Sequence, residues 1–168
     1  MKLEIRPATF EDIPGLKRAA EKQGGSKEKD YFENCFDLLK KKERDIFVAI
    51  HNDIIAGYVM LVWSPRYQPF RTMKVPEIQD LNVIPSVRRQ GIASKLMDYC
   101  ENIVRKEGHP MVGIGVGVHS SYGAAQCMYI KRGYVPDGAG AAYDAKTMEF
   151  GEMRPLDDNF TLKLIREL

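Results

Sequence analysis

Between Glu77 and Val118 the chain reads as an apolar strand, a long helical stripe and a second apolar strand, an order that leaves few ways to fold. The run ending at Val83 has strand character. Ile92, Leu96, Tyr99, Cys100, Ile103 and Val104 then recur at helical spacing. In the stretch from Met111 to Val118, Gly113, Gly115 and Gly117 fall on one face and Val112, Ile114, Val116 and Val118 on the other. A helix of that length between two strands is a crossover, so the two strands must run parallel in one sheet.

The flanking segments fit an α/β sandwich around that unit. Leu3 and Ile5 open a strand, and Thr9 caps a helix through Asp12 that carries Ile13 and Leu16 toward the paired glycines Gly24 and Gly25. Tyr31, Phe32, Cys35, Phe36, Leu38 and Leu39 form a second helical stripe. Ile46 to Ile50 and Ile54 to Val62 read as a hairpin turning at Asn52 and Asp53. Trp63 to Pro76, interrupted by Pro65 and Pro69, reads as a loop. Downstream, Ser120 and Ser121 open a helix that ends near Arg132 and Gly133, and strands begin near Tyr134 and over Thr161 to Ile165. Asp137 to Asp158 reads as irregular, with six carboxylates against Lys146 and Arg154, and suits either a functional flap or a solvated connector.

At 168 residues with 44% hydrophobic content, residues 1–168 make one domain with a sizeable core. A formal charge of +2, from 25 basic and 23 acidic residues, argues against nucleic acid or an anionic membrane as partner. Cys35, Cys100 and Cys127 are odd in number and widely spaced, which favours a reducing compartment and gives no metal site. The first residues alternate like a strand and lack the apolar core of a signal peptide, and no apolar run is long enough to span a bilayer. A cytoplasmic location follows as the expectation.

The turn from Leu81 to Ala93 carries the clearest chemistry. It lies at a helix N-terminus, where amides without intrahelical partners and the macrodipole favour an anion, and no acidic residue occurs between Asp80 and Asp98. Arg88, Arg89 and Lys95 add positive charge, Gly91 lets the backbone approach a phosphate, and Ala93 keeps the next exposed position small. The same residues also suit an ordinary strand-to-helix connection. A Walker motif is excluded because no Lys-Ser/Thr pair follows Gly91, and a dinucleotide fingerprint fails because Val118 stands where its last glycine would be.

Arg88-Arg89-Gln90-Gly91-Ile92-Ala93 resembles the Gln/Arg-x-x-Gly-x-Gly/Ala turn of the GNAT superfamily of acyl-CoA-dependent N-acetyltransferases. Three further segments resemble that family in the same order: Ile5 to Thr9 with Asp12 and Ile13, Val83-Ile84-Pro85, and Ala125 to Tyr134. The resemblance implies a three-layer α/β/α sandwich on a mixed, mostly antiparallel sheet with a parallel, splayed central strand pair. It implies acetyl-CoA as co-substrate, no metal, and direct transfer to a primary amine. Pyrophosphate contacts would come from Arg88, Arg89, Gln90, Gly91, Ile92 and Ala93, and pantetheine pairing from Leu81, Asn82 and Val83.

Within Ala125 to Tyr134 the resemblance makes Tyr129 the general acid for the departing thiolate, a role open to a phenol that stays protonated at neutral pH. It makes Glu77, fourteen positions before Gly91, the general base, with Asp80 as the other carboxylate on that strand. Strict alternation places Glu77, Gln79 and Leu81 on one face and Ile78, Asp80 and Asn82 on the other. Tyr122 departs from the family, which commonly has Asn there, so Ser120 or Ser121 is left to meet the pantetheine arm. The alternating glycines admit a backbone, a helix or a ligand. His119 beside Ser120 lacks the glycine-flanked elbow of a hydrolase, and Cys127 lacks a base. The acceptor is a small-molecule or protein amine, with a small cationic amine favoured by the carboxylates. Trp63, Tyr67 and Phe70 either line its entrance or anchor the loop. Many relatives are dimers, which leaves a homodimer open, and an acyl-CoA sensor of the same fold without turnover remains the alternative.

Overall fold

The computed structural model describes residues 3–23 and 27–168, so the paired glycines expected to end the first helix lie outside the described residues. In chain order the elements are β1 (Leu3–Pro7), α1 (Ile13–Glu21), α2 (Tyr31–Lys40), β2 (Arg44–His51), β3 (Ile54–Val62), α3 (Gln68–Met73), β4 (Glu77–Val83), α4 (Ile92–Lys106), β5 (Met111–Gly117), α5 (Gly123–Lys131), β6 (Val135–Tyr143), β7 (Lys146–Thr147) and β8 (Phe160–Glu167). They divide between two compact units, Met1–Trp63 with Ile78–Ile103, and Ser64–Glu77 with Val104–Leu168.

In the first unit the strand order is β1-β2-β3-β4. β1 and β2 pair antiparallel from Leu3 against His51 to Pro7 against Phe47. The hairpin between β2 and β3 turns through Asn52 and Asp53, both left-handed at φ 50° and 61°, which suits two short polar side chains in a turn whose twist matches the strands. Before α1, Asp12 accepts a 2.7 Å hydrogen bond from the Thr9 amide, so the expected capping box is present, closing a 3-10 turn over Phe10–Asp12. Ile13, Leu16 and Ala20 of α1 join Phe32, Cys35 and Phe36 of α2 over Ile46, Val48, Tyr58 and Met60 of the sheet. Phe47 meets Tyr99 of α4 edge to face at 5.0 Å, so helices lie on both faces of these strands.

β4 departs from simple alternation. Asp80 stands at φ 51°, so the faces predicted for residues beyond it do not follow a period of two. The local displacement is accommodated by Gly57 on β3, where a Cβ would come within 2.6 Å of the Asn82 carbonyl oxygen.

In the second unit the order is β5-β8-β6-β7. β5 and β8 pair antiparallel from Met111 against Glu167 to Gly117 against Thr161. The chain entering β4 meets β5 as the parallel member: the Gly113 amide donates to the Pro76 carbonyl at 2.8 Å. The sheet is therefore mixed and mostly antiparallel, as expected.

Two segments hold more regular structure than their sequence suggests. Trp63 to Pro76 is not plain loop, because α3 forms within it, with Pro69 in its first turn, where a missing N–H costs nothing, and Lys74 closing it at φ 55°. Nor is Asp137 to Asp158 irregular throughout. β6 runs to Tyr143 and folds back onto β7, Ala142 opposite Thr147. The strand signal is concealed by Pro136, Gly138 and Gly140, where the pairing with β8 shifts register. The glycine face of β5 receives side chains: the Phe70 ring of α3 fills the place of a Gly113 Cβ, Lys163 of β8 that of Gly115, and the Tyr122 ring that of Gly117. Among the described residues, no helix is long and apolar enough to cross a membrane.

Candidate active site

The basic turn belongs to the first unit. After a 3-10 turn at Pro85–Val87, Arg88 is extended, Arg89 is left-handed at φ 61° and Gly91 at φ 79°, and α4 begins at Ile92. Lys95 donates to the Gly91 carbonyl at 3.0 Å as the helix opens, so the amides before Lys95 belong to the first turn, where no intrahelical acceptor exists. A Cβ on Gly91 would meet nothing within 4 Å, so the glycine is there for its backbone conformation and leaves open space in front of it. Arg88, Arg89, Gln90 and Gly91 are exposed, Ala93 is half-buried, and Ile92 is buried in the core and can offer only its backbone.

The two arginines differ. Arg88 folds back, its Nε donating to the Val83 carbonyl at 3.1 Å and its guanidinium to Gln23 Oε1, while the Gln23 amide also donates to Val83 O. Arg88 therefore ties the end of β4 to the residue just beyond α1, and Arg89 presents its charge in the open. Gln23 was not legible as a site residue, since nothing local marks a glutamine sixty positions before Val83.

Leu81, Asn82 and Val83 are half-buried. Asn82 Nδ2 donates to the Asp80 carboxylate at 2.7 Å and to its carbonyl at 3.1 Å, which stabilises the unusual backbone there. The Asp80 carboxylate also accepts from Lys27 Nζ at 2.9 Å and from the Tyr31 hydroxyl at 2.8 Å.

Tyr129 and Glu77 belong to the second unit. Tyr129 lies on α5, is 6% exposed, and has its phenol pushed up to about 12 by burial. Gly133, at φ 92°, closes the helix, and the Tyr134 amide returns to the Tyr129 carbonyl at 3.1 Å, bringing the two rings to 6.0 Å. Much of the Ala125 to Tyr134 motif is thus a helix ending that fixes Tyr129.

Glu77 opens β4. It is buried, and Oε1 accepts from Lys163 Nζ at 2.6 Å. Lys163 stands over the Tyr67 ring at 5.3 Å, and the Tyr67 hydroxyl donates to Asp137 at 2.8 Å. Burial, then the Asp137 hydrogen bond, raises the Tyr67 phenol well above its ordinary value. Tyr67 and Phe70 are wholly buried and anchor α3 by an edge-to-face contact at 4.9 Å. His119 is a helix cap, its Nδ1 accepting from the Ser121 amide at 3.2 Å. Tyr122 donates to Asp158 at 2.6 Å, and Cys127 is exposed.

Residues 11–134 match the acetyltransferase (GNAT) family, and the chain belongs to that family. Its fold is that of several solved N-acetyltransferases. An N-acetyltransferase from Staphylococcus aureus aligns at a TM-score of 0.74 over 99% of both chains with 18% identity. The PaiA N-acetyltransferase from Thermoplasma acidophilum, in complex with coenzyme A, aligns at 0.70 over 100% of both chains with 16% identity. A Salmonella typhimurium acetyltransferase that modifies the N-terminal serine of the 50S ribosomal subunit protein L7/L12 aligns at 0.73, over 100% of this chain and 96% of that one, with 15% identity. No curated protein shows a significant sequence match.

Proposed function

We propose that this protein moves the acetyl group of acetyl-CoA directly to a primary amine in the cytoplasm. Acetyl-CoA fits the residues present: the open space at Gly91, the exposed Arg89 and the first-turn amides of α4 suit a pyrophosphate, and Leu81, Asn82 and Val83 would pair with the pantetheine arm. The observation that carries the reading is Tyr129. A phenol held protonated by burial is a proton donor at neutral pH, and it stands in the segment that resembles the family's acid motif.

In the reaction the amine nitrogen bonds to the acetyl carbon, the carbon–sulfur bond breaks, and Tyr129 gives its proton to the sulfur. The amine must first lose a proton, since about one alkylamine in a thousand is neutral at pH 7. Glu77, paired with Lys163 and nearly out of solvent, would take up that proton only through an intervening group, whereas Asp80 is the less enclosed carboxylate on β4. Asp80 favours a small cationic acceptor. A protein amine is the other acceptor class, since one structural neighbour modifies an N-terminal serine.

The test is mass spectrometry of an amine library incubated with acetyl-CoA and the protein, repeated with Tyr129→Phe and Glu77→Gln. An acetylated amine with release of CoA thiol is expected, with turnover reduced in Tyr129→Phe. The Glu77–Lys163 pair favours one second reading, an acyl-CoA sensor. Tight acetyl-CoA binding with no product from any amine would establish that reading instead.

A further inference from the structure

The chain places one of its own alkylammonium groups in a seat on the first unit. Lys27 Nζ bonds the Asp80 carboxylate at 2.9 Å and lies 4.6 Å from the centre of the Tyr31 ring, while the Tyr31 hydroxyl donates to the other Asp80 oxygen at 2.8 Å. A carboxylate beside an aromatic face is the chemistry that recognises an organic cation. A second, independent feature lies deeper. Tyr58 is wholly buried, and its hydroxyl has no hydrogen-bond partner among the described residues. Tyr58 belongs to the core cluster against which Tyr31 packs, and burial first, then the nearby Asp80 charge, raises its phenol far above the ordinary value. A buried hydroxyl without a partner is costly unless something supplies one.

We propose that Asp80, Tyr31 and Tyr58 form a binding seat for a primary alkylammonium, that Lys27 occupies it in the free protein, and that the acceptor amine displaces Lys27. Lys27 itself demonstrates that a four-carbon chain ending in an ammonium fits. Its own hold is weak, because the lysine side chain is one-third exposed and such pairs contribute little. Exchanging one ammonium for another leaves the local charge unchanged. Arg44, the neighbouring cation, is turned to the sulfur atoms of Cys35 and Met60 at 3.2 Å and 3.1 Å and does not take the carboxylate. Asp80 holds its position at φ 51°, with its carboxylate and carbonyl bound by Asn82, so the seat is fixed before any ligand arrives. Recognition by Asp80 requires N–H donors, so a quaternary ammonium should bind poorly even though the ring would accept it. Asp80 immediately precedes Leu81, Asn82 and Val83, so the amine seat and the strand offered to the thioester arm belong to one unit.

The inference rests on the acetyltransferase reading only in calling the occupant an acceptor, and its test needs no acetyl-CoA. Calorimetric titration with n-butylammonium chloride compares the wild type with Lys27→Met. Removing the tethered competitor should tighten binding about fivefold. Adding Asp80→Asn to Lys27→Met should weaken it about tenfold, and adding Tyr58→Phe about threefold, with melting temperatures showing that each variant folds. Tetramethylammonium chloride should bind Lys27→Met at least about fivefold more weakly than n-butylammonium. An Nα-acetyl-lysine amide titrated alongside separates a free amine from a lysine side chain as the source. The proposal is overturned if Lys27→Met binds no more tightly than wild type, or if Asp80→Asn leaves the affinity of Lys27→Met unchanged. Binding by Lys27→Met with no acetylation of any amine would remove the acetyltransferase reading and leave the seat. Acetylation indifferent to Asp80→Asn would do the reverse.

Discussion

The ammonium of Lys163 lies 2.6 Å from Oε1 of Glu77, and their side chains are only 9% and 2% exposed. Each charge is out of water and relies on the other, with the Tyr67 ring and the gap left by Gly115 completing the surroundings of Lys163. Breaking such a pair removes the opposite charge from a buried group. Glu77→Gln or Lys163→Met by itself should therefore cost about 3–5 kcal/mol in chemical denaturation, while the double variant should recover most of that loss. If the single variants are as stable as wild type, the pair is not the structural unit described.

Tyr129→Phe separates chemistry from packing. The ring contact with Tyr134 survives the change, so stability should hold, whereas kcat should fall by about 10²-fold or more if the phenol protonates the thiolate. The sign of the pH effect is fixed by the raised value near 12: the proton is present throughout the neutral and mildly alkaline range and leaves only as pH approaches 12. The wild-type rate should accordingly show no loss attributable to Tyr129 below about pH 11, a unit short of that value. A descending limb near pH 9 that vanishes in Tyr129→Phe would contradict this.

What could be read from the sequence was local. The Thr9 and Asp12 capping box, the Asn52 and Asp53 hairpin, and the Gly133 helix ending are set by residues within a few positions of one another, and each stands where the pattern placed it. The strand, helix, strand unit around α4 was legible because its periodicities are long and unbroken. The surroundings of the site residues were not. Glu77 and Lys163 are 86 positions apart, Lys27 and Asp80 are 53 apart, and no pattern pairs them. Pro69 reads as a loop marker because the first turn of a helix tolerates proline as well as a loop does. The period of two in β4 failed at Asp80 because a left-handed residue rotates the side chains that follow it.

Gly113 shows what its alternating pattern was for. The Phe70 ring of α3 occupies the volume a Cβ would need, so Gly113→Ala must displace a fully buried ring. Overpacking of this kind should cost about 1–3 kcal/mol. Phe70→Leu on that background should restore part of the loss, giving a double-mutant coupling of about 0.5 kcal/mol or more. Independent, additive effects would show that the ring has room to move.

The two arginines of the turn should fail differently. Arg89 is exposed and left-handed in backbone, with its charge available to a phosphate, whereas Arg88 is held on the Val83 carbonyl and Gln23. Arg89→Ala should raise KM for acetyl-CoA about tenfold, in keeping with the loss of one charge-assisted contact, leave the melting temperature unchanged, and reduce the salt dependence of binding. Arg88→Ala should lower the melting temperature by releasing the end of β4 from Gln23, and Gln23→Ala should reproduce that shift because both side chains share the Val83 carbonyl. The wild type, both arginine variants and Gln23→Ala, measured by thermal melting and by acetyl-CoA titration at two salt concentrations, decide the matter. Equal losses of coenzyme affinity in Arg88→Ala and Arg89→Ala, with no thermal shift in either, would mean that Arg88 leaves Val83 to bind phosphate and that the latch to Gln23 does not persist in solution.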